Sequence, residues 1–415
     1  MTISAHHGAV AQLRMQHGVT VAHLQMAACH LIVVAYFLSF WKYKTWYVAT
    51  AGAMVITAFA VVIGGARLRG LLRDAWPLLL YFAYLVVAAA QADYAAEARY
   101  WALVDSIGFP VACVFWVAAR NTDPAALRSG FIYVSLIAAP VAVLVYRWSV
   151  EASRLGGYAL SFYPLAIPFL WAEIIVGRRR RLALLALTIV LTMLFLSRSR
   201  TPLGVGLIVL GLSFVWIGRS VTQRLKLGMV MFVIVVTMFV TLMSFRETRV
   251  ALLTFVARIT QKDIVLGDIY IPSEPYDATR ENLDTMVRNG LREAQPFGTG
   301  YNTTAYYYER AYGYFFSLHN IYQVWAYEGG VFCVLIVTVV LVRHAVALKQ
   351  AHARAPSADS MLLARCLSLA TIAMLAIGLF HQMHHGPMFY AVLGMALGLR
   401  QRVMSNHSNI QEVRR

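Results

Sequence analysis

The chain has 415 residues, of which 60% are hydrophobic and 13% charged, and its mean hydropathy is +0.63. That composition excludes a water-soluble globule and places the chain among all-α polytopic membrane proteins. A formal charge of +17 would suit a nucleic-acid binder, but residues 246–318, the single sizeable polar stretch, carry eight basic and nine acidic side chains. The excess therefore sits in short loops that suit anionic lipid, and nucleic acid is excluded as a partner.

In chain order, apolar runs fall at 24–40, 46–64, 76–91, 100–119, 129–146, 158–176, 182–196, 202–218, 227–244, 320–342, 362–380 and 387–400. Read against ~30 Å of hydrocarbon at ~1.5 Å per residue, with flanking residues completing the shorter runs, they predict twelve transmembrane helices. The expected division is helices one to nine within 1–245, a large loop at 246–318, and helices ten to twelve with a tail at 319–415. Met26-Ala27-Ala28-Cys29 resembles a lipoprotein cleavage box but precedes its apolar run, so the first span is expected to be retained. The four cysteines fall in or beside apolar runs without a CxxC pair, so no disulfide framework or zinc site is implied.

Alternate connections hold most of the Lys and Arg: Arg67, Arg69 and Arg73, then Arg120 and Arg128, Arg178 to Arg181, Arg219, Arg224 and Lys226, and Arg343, Lys349, Arg354 and Arg365. Basic short loops stay on the cytoplasmic side, so both termini are expected there and the large loop outside.

Against that trend, Ser197-Arg198-Ser199-Arg200-Thr201-Pro202 puts two arginines in a tight external connection between spans seven and eight. Arginine near the hydrocarbon is costly, so the pair is read either as a phosphate-binding site beside the lipid or as a snorkelling anchor. In the large loop, Leu283, Met286, Val287, Leu291 and Ala294 recur at helical spacing after the breaker Pro272-Ser273-Glu274-Pro275 and before Pro296. Arg280, Asp284, Arg288 and Arg292 lie on one stripe of that helix. The stripe is either a clamp for an anionic head group or a solvated face in which Asp284 bridges its neighbours.

Pro296-Phe297-Gly298-Thr299-Gly300 is expected to give mobile backbone with accessible N–H groups. Tyr301, Tyr306, Tyr307, Tyr308, Tyr312, Tyr314, Phe315 and Phe316 follow, as an interfacial belt or as surfaces on which sugar rings stack. His319 then stands at the expected start of span ten, where the positive end of the helix disfavours protonation and leaves an imidazole able to accept a proton. Tyr322 and Gln323 share its face and could orient the ring or a bound hydroxyl; Glu328, half a turn off that face, is an intramembrane acid and a weaker candidate. His381, His384 and His385 form the last external turn, as a metal set or as polar lining of an acceptor cleft, with Gly386-Pro387 breaking the chain directly after.

The Ser197-Arg198-Ser199-Arg200 run, the arginine-bearing helix ending in a Pro/Gly turn, and His319-Asn320 followed by Glu328-Gly329-Gly330 together resemble the bacterial O-antigen ligase and polymerase superfamily. The match in order and spacing covers about 197–330. The chain departs from the family pattern in its P-x-G-x-G turn and in Thr201-Pro202 after the SRSR run. The resemblance implies a GT-C-like inner-membrane glycosyltransferase with its active site at the periplasmic face. Its donor would be a polysaccharide on undecaprenyl diphosphate and its acceptor a sugar hydroxyl of lipid A–core oligosaccharide. The matching arginines would hold the diphosphate, with either Arg280 or Arg288 as the family's loop arginine, and the histidine would activate the acceptor.

The chemistry is consistent with that expectation, because such a transfer needs stabilisation of the leaving diphosphate and a base for the incoming hydroxyl. Arg198, Arg200, Arg280 and Arg288 supply the first and His319 the second, with Asn320, Tyr322 and Gln323 in support. Direct displacement inverts the anomeric centre. Asp263, Asp268, Glu274 and Asp277 are scattered with no DxD, so transfer without metal or other cofactor is expected. The alternatives are an O-antigen polymerase, for which two large external loops would be usual, a pilin-directed oligosaccharyltransferase, with more external mass after the histidine, and a transporter, which should show inverted repeats.

Overall fold

A computed structural model describes residues 21–36, 45–64, 70–148, 162–196, 200–217, scattered positions between 228 and 260, and 262–272, 278–292, 296–300, 302–313, 318, 320–380 and 386–414. The helices are α1 (Val21–Tyr36), α2 (Thr45–Gly64), α3 (Leu71–Ala90), α4 (Ala95–Ser106), α5 (Gly108–Asn121), α6 (Pro124–Trp148), α7 (Phe162–Val176), α8 (Arg180–Leu196) and α9 (Arg200–Ile217). Described residues from 228 to 260 are all helical. A hairpin of β1 (Ile264–Leu266) and β2 (Ile269–Ile271) follows, then α10 (Ala278–Arg292), α11 (Thr304–Tyr312), α12 (Gly330–Ala353), α13 (Ala358–Gly378) and α14 (Pro387–Arg414).

About 86% of the structure is helical, so the all-α membrane class is shown. Leu71–Ala90, Ala95–Asn121, Gly330–Ala353 and Ala358–Gly378 are long and apolar enough to cross a bilayer, and the shorter helices Val21–Tyr36, Val48–Val62, Pro124–Ile137, Phe162–Val176 and Thr201–Ile217 are also apolar.

Two features differ from the hydropathy pattern. The apolar run 320–342 is not one helix: Ile321–Gln323 is a single α turn, Val324–Glu328 is π-helical, and α12 begins only at Gly330. Gly330 adopts φ +70°, a conformation that breaks helical continuity and that glycine alone takes without strain. The other feature is the β1–β2 hairpin, which was not anticipated although Ile264-Val265-Leu266-Gly267-Asp268-Ile269-Tyr270-Ile271 carries a hairpin signature of β-branched residues around a Gly-Asp turn.

Packing explains the centre of the bundle. Helix α7 is buried on all sides, as expected for a helix apolar all round, and lies against α6, α8, α9 and α13. Helix α14 runs closest to α5, because a side chain at Gly394 or Gly398 would collide with the backbone carbonyls of Ala112 and Trp116. All four cysteines are free and buried. One continuous core extends from α1 to α14 and includes Leu283 and Val287 of α10, Tyr308 of α11, and Ile321, Val324 and Tyr327. Helices α10 and α11 of the polar segment are therefore docked on the membrane bundle.

Helix α3, with 20 residues, is ~30 Å long and separates two polar regions. At its first turn, buried Asp74 Oδ1 receives Arg400 Nη1 at 3.0 Å, with Arg343 Nη2 at 3.8 Å and Arg73 Nε at 3.9 Å. A second ion network joins α6, α7 and α13: buried Arg128 donates from Nε to buried Glu173 Oε1 (3.1 Å) and from Nη2 to the half-buried Asp359 Oδ1 (2.7 Å). Arg128 was counted above among the loop arginines that mark topology; it is a structural cation inside the bundle. Beyond the far end of α3, Asp93 and Tyr94 meet the tyrosines of α11.

Candidate functional site

The site is built where the polar segment returns to the bundle. Asn320 caps the re-entry turn: its Oδ1 accepts from the N–H groups of Tyr322 (2.9 Å) and Gln323 (3.4 Å), satisfying donors that the first turn cannot pair internally. The turn then passes into the π-helical stretch Val324–Glu328, a geometry often found at functional sites.

Glu328 closes that stretch and is buried. Its carboxylate accepts from the N–H of Asn302 (2.7 Å), the N–H of Thr304 (3.1 Å) and the Thr304 hydroxyl. Because Thr304 opens α11, the carboxylate acts as a non-local cap placed against the positive end of that helix. Asn302 holds φ +57°, which points its N–H at the acid. Glu328 is thus a tie between loop and re-entry turn, and sequence spacing did not expose that role, because the partners lie 24 and 26 positions upstream.

The Pro296–Gly300 segment is the chief correction to the sequence expectation. Two of its N–H groups are already engaged: Thr299 N donates to Tyr327 O (3.0 Å) and Gly300 N to Glu328 O (3.1 Å). Gly298, at φ +72°, presses on the backbone of Glu328 and Gly330, where any side chain would collide. The glycines serve close backbone approach between two segments. Tyr84 Oη from α3 donates to Gly329 O at 2.5 Å and its ring stacks on Phe297, so the junction is held from the bundle side as well.

Helix α10 docks on the same turn. Leu283 and Val287 are buried, and Gly290 sits directly against the Tyr327 ring. On the polar stripe, Gln323 Nε2 donates to Asp284 Oδ1 at 3.0 Å. Arg280 and Arg288 stand one turn before and one turn after Asp284 on that helix. Arg288 is exposed and makes no ion pair among the described residues. Tyr322 and Gln323 were expected to orient the histidine or a hydroxyl ligand. Instead the Tyr322 hydroxyl is committed to the Leu375 carbonyl on α13 (2.9 Å) and Gln323 to Asp284, so both fasten helices to the turn.

His319, Arg198, His381, His384 and His385 lie outside the described residues, and Arg200 and Arg280 are described as backbone only, at the first residue of α9 and in the first turn of α10. Among the described residues no cluster of His, Cys, Asp or Glu is arranged to hold a metal ion.

The aromatic run divides by environment. Tyr308 is buried in the core, whereas Tyr306 stacks on Tyr94 at 5.2 Å and Tyr307 meets Tyr94 edge-on at 5.1 Å. Tyr307 Oη donates to Asp93 Oδ2 (2.9 Å). Partial burial and then that carboxylate push the Tyr307 hydroxyl above its ordinary range, so it remains a phenol and a donor. Burial followed by Glu97 raises Tyr306. A scan of protein-family models finds none that matches the chain, and no curated protein matches it.

Proposed function

We propose that this chain is an O-antigen ligase: a membrane glycosyltransferase that moves a polysaccharide from undecaprenyl diphosphate to a sugar hydroxyl of lipid A–core oligosaccharide, with inversion and without a metal. The supporting observation is the hydrogen bond from Gln323 to Asp284, which fastens the arginine-bearing helix to the turn that begins immediately after His319. A leaving diphosphate and an attacking hydroxyl react within a few ångströms of one another, so the groups serving them have to be presented by elements held together. In this proposal Arg198, Arg200 and one of Arg280 and Arg288 bind the diphosphate, and His319 removes the acceptor proton. Twelve spans, a GT-C-like arrangement, cytoplasmic termini and a periplasmic site in the bacterial inner membrane belong to the same proposal.

The experiment supplies purified protein in lipid nanodiscs with undecaprenyl diphosphate-linked glycan and rough lipopolysaccharide. A ladder of core-attached product is expected. Glycan that lengthens on its lipid carrier would instead assign a polymerase. His319→Ala should lower transfer by ~10²–10⁴-fold at unchanged expression, the range for loss of a general base; turnover at the wild-type rate would remove the histidine from the mechanism. Activity lost to EDTA and restored by magnesium would count against the metal-free step.

A further inference from the structure

The β1–β2 hairpin carries an apolar face that the core does not use. Its inner residues Ile269 and Ile271 are buried on Leu253 and Ala257, two of the described helical residues between 228 and 260, forming a small cluster separate from the main core. Its other face presents Val265 (70% exposed) directly opposite Tyr270 (61%), and Leu266, which shares the inner face with Ile269, is itself left 47% exposed at the turn. In water such a cluster on a two-stranded ribbon with open edges would invite aggregation.

The hairpin's direction indicates what covers that face. Its register pairs Ile264 with Ile271 at the base and Leu266 with Ile269 at the tip. The tip residue Asp268 lies 3.6 Å from Arg246. Arg246 precedes Leu253 and Ala257 by seven and eleven positions, and all three are helical. The ribbon therefore points back down the helical stretch, towards its exposed valines Val233, Val236 and Val240. That stretch corresponds to the apolar run 227–244, so the tip returns to the level at which the chain leaves the hydrocarbon. The exposed Arg246–Asp268 pair adds little stability but records this direction.

We propose that the hairpin dips into the membrane, seating Val265, Leu266 and Tyr270 in the headgroup–acyl boundary of the glycerophospholipid leaflet at which the 228–260 stretch emerges. Tyrosine suits that layer, with an apolar ring and a wet hydroxyl, here donated to Asp263 at 2.8 Å. Arg246 and Asp268 then lie among the headgroups. Only 272–277 separate β2 from α10, so the dip also holds the arginine helix within ~20 Å of the bilayer surface. The proposal rests on the membrane-spanning assignment of 227–244 and not on glycosyl transfer.

The test uses full-length protein in phosphatidylethanolamine–phosphatidylglycerol nanodiscs. Leu266→Cys and, separately, Val265→Cys are labelled with an environment-sensitive fluorophore, which the four buried native cysteines favour. Lys262→Cys, at the exposed base of the hairpin, is the reference. Emission at 265 and 266 should shift to the blue relative to 262, be quenched by lipids spin-labelled near the top of the acyl chain, and resist aqueous iodide. Iodide quenching as strong at 265 and 266 as at 262 would overturn the proposal. Shielding that appears only as the number of copies per disc rises would overturn it too, in favour of a second copy as the occupant. Neither readout depends on catalysis, so product formation in the transfer assay tests the two proposals apart.

Discussion

The two ends of α3 treat charge in opposite ways. At its first turn, and in the neighbouring network of α6, α7 and α13, guanidiniums are consumed by carboxylates inside the fold: Arg400 by Asp74, and Arg128 by Glu173 and Asp359. Beyond its last turn the carboxylates are held by neutral donors, Glu328 by Asn302 and Thr304, and Asp284 by Gln323, while Arg288 remains exposed. A buried cation already matched by anions is structural, whereas a guanidinium left open beside acids that are otherwise engaged is free to meet an anionic ligand. The difference separates arginines that hold the bundle from one, Arg288, that makes no ion pair among the described residues.

Four changes break or sharpen that contrast. The largest effect is expected from Arg128→Met, which leaves Glu173 and Asp359 facing one another without a cation. Removing one partner of a buried pair costs ~3–5 kcal/mol, so the thermal midpoint in nanodiscs should fall steeply, with partial recovery when Glu173→Gln is added. An unchanged midpoint would mean that this end is not structural.

Glu328→Ala comes next. Hydrogen bonds to a charged group are worth ~1.5–3 kcal/mol each, so the variant should lose hydrogen-exchange protection across 302–312 while the Asp74 end keeps its own. Glu328→Gln retains one acceptor and should fall between; equal protection in all three proteins would show that the acid does not cap α11.

A smaller effect is expected at the α10 junction. Gln323→Leu and Asp284→Asn, alone and combined, should show a coupling of ~1 kcal/mol in a double-mutant cycle. Additive effects would mean that the contact does not fasten the arginine helix. Smallest in stability is Arg288→Ala, which should shift it by no more than ~0.5 kcal/mol, as for an exposed side chain with no ion pair among the described residues. If the guanidinium binds the donor, its KM should nevertheless rise ~10-fold or more, the loss of one charge-assisted hydrogen bond. A fall in stability with an unchanged KM would place Arg288 with the structural arginines.

Much of the fold was legible before the structure. Apart from the broken run 320–342, the described residues of the apolar runs are predominantly helical, because burial in lipid demands continuous hydrocarbon length that hydropathy measures directly. The helix ending before Pro296 was legible from its 3.6-residue apolar period and its breakers. The break at Gly330 was not, since Val324, Trp325, Ala326 and Tyr327 read as apolar whether α-helical or π-helical. Nor was the role of the Pro296–Gly300 segment: glycine signals permissive backbone, and whether that freedom serves motion or close contact depends on what packs against it. The ion pairs of Arg128 span 45 and 231 positions, so no local pattern announces them.

By itself, then, the chain's composition and periodicity determined the membrane class, the helical segments and the location of the large polar insertion, all of which follow from transfer of side chains between water and hydrocarbon. Only the tertiary structure decided which charges cancel, where the re-entry helix breaks, and that Asp284, Glu328 and the Gly298 turn converge on one junction. Those outcomes depend on hydrogen bonds between residues far apart in sequence, whose partners are chosen by packing and not by spacing.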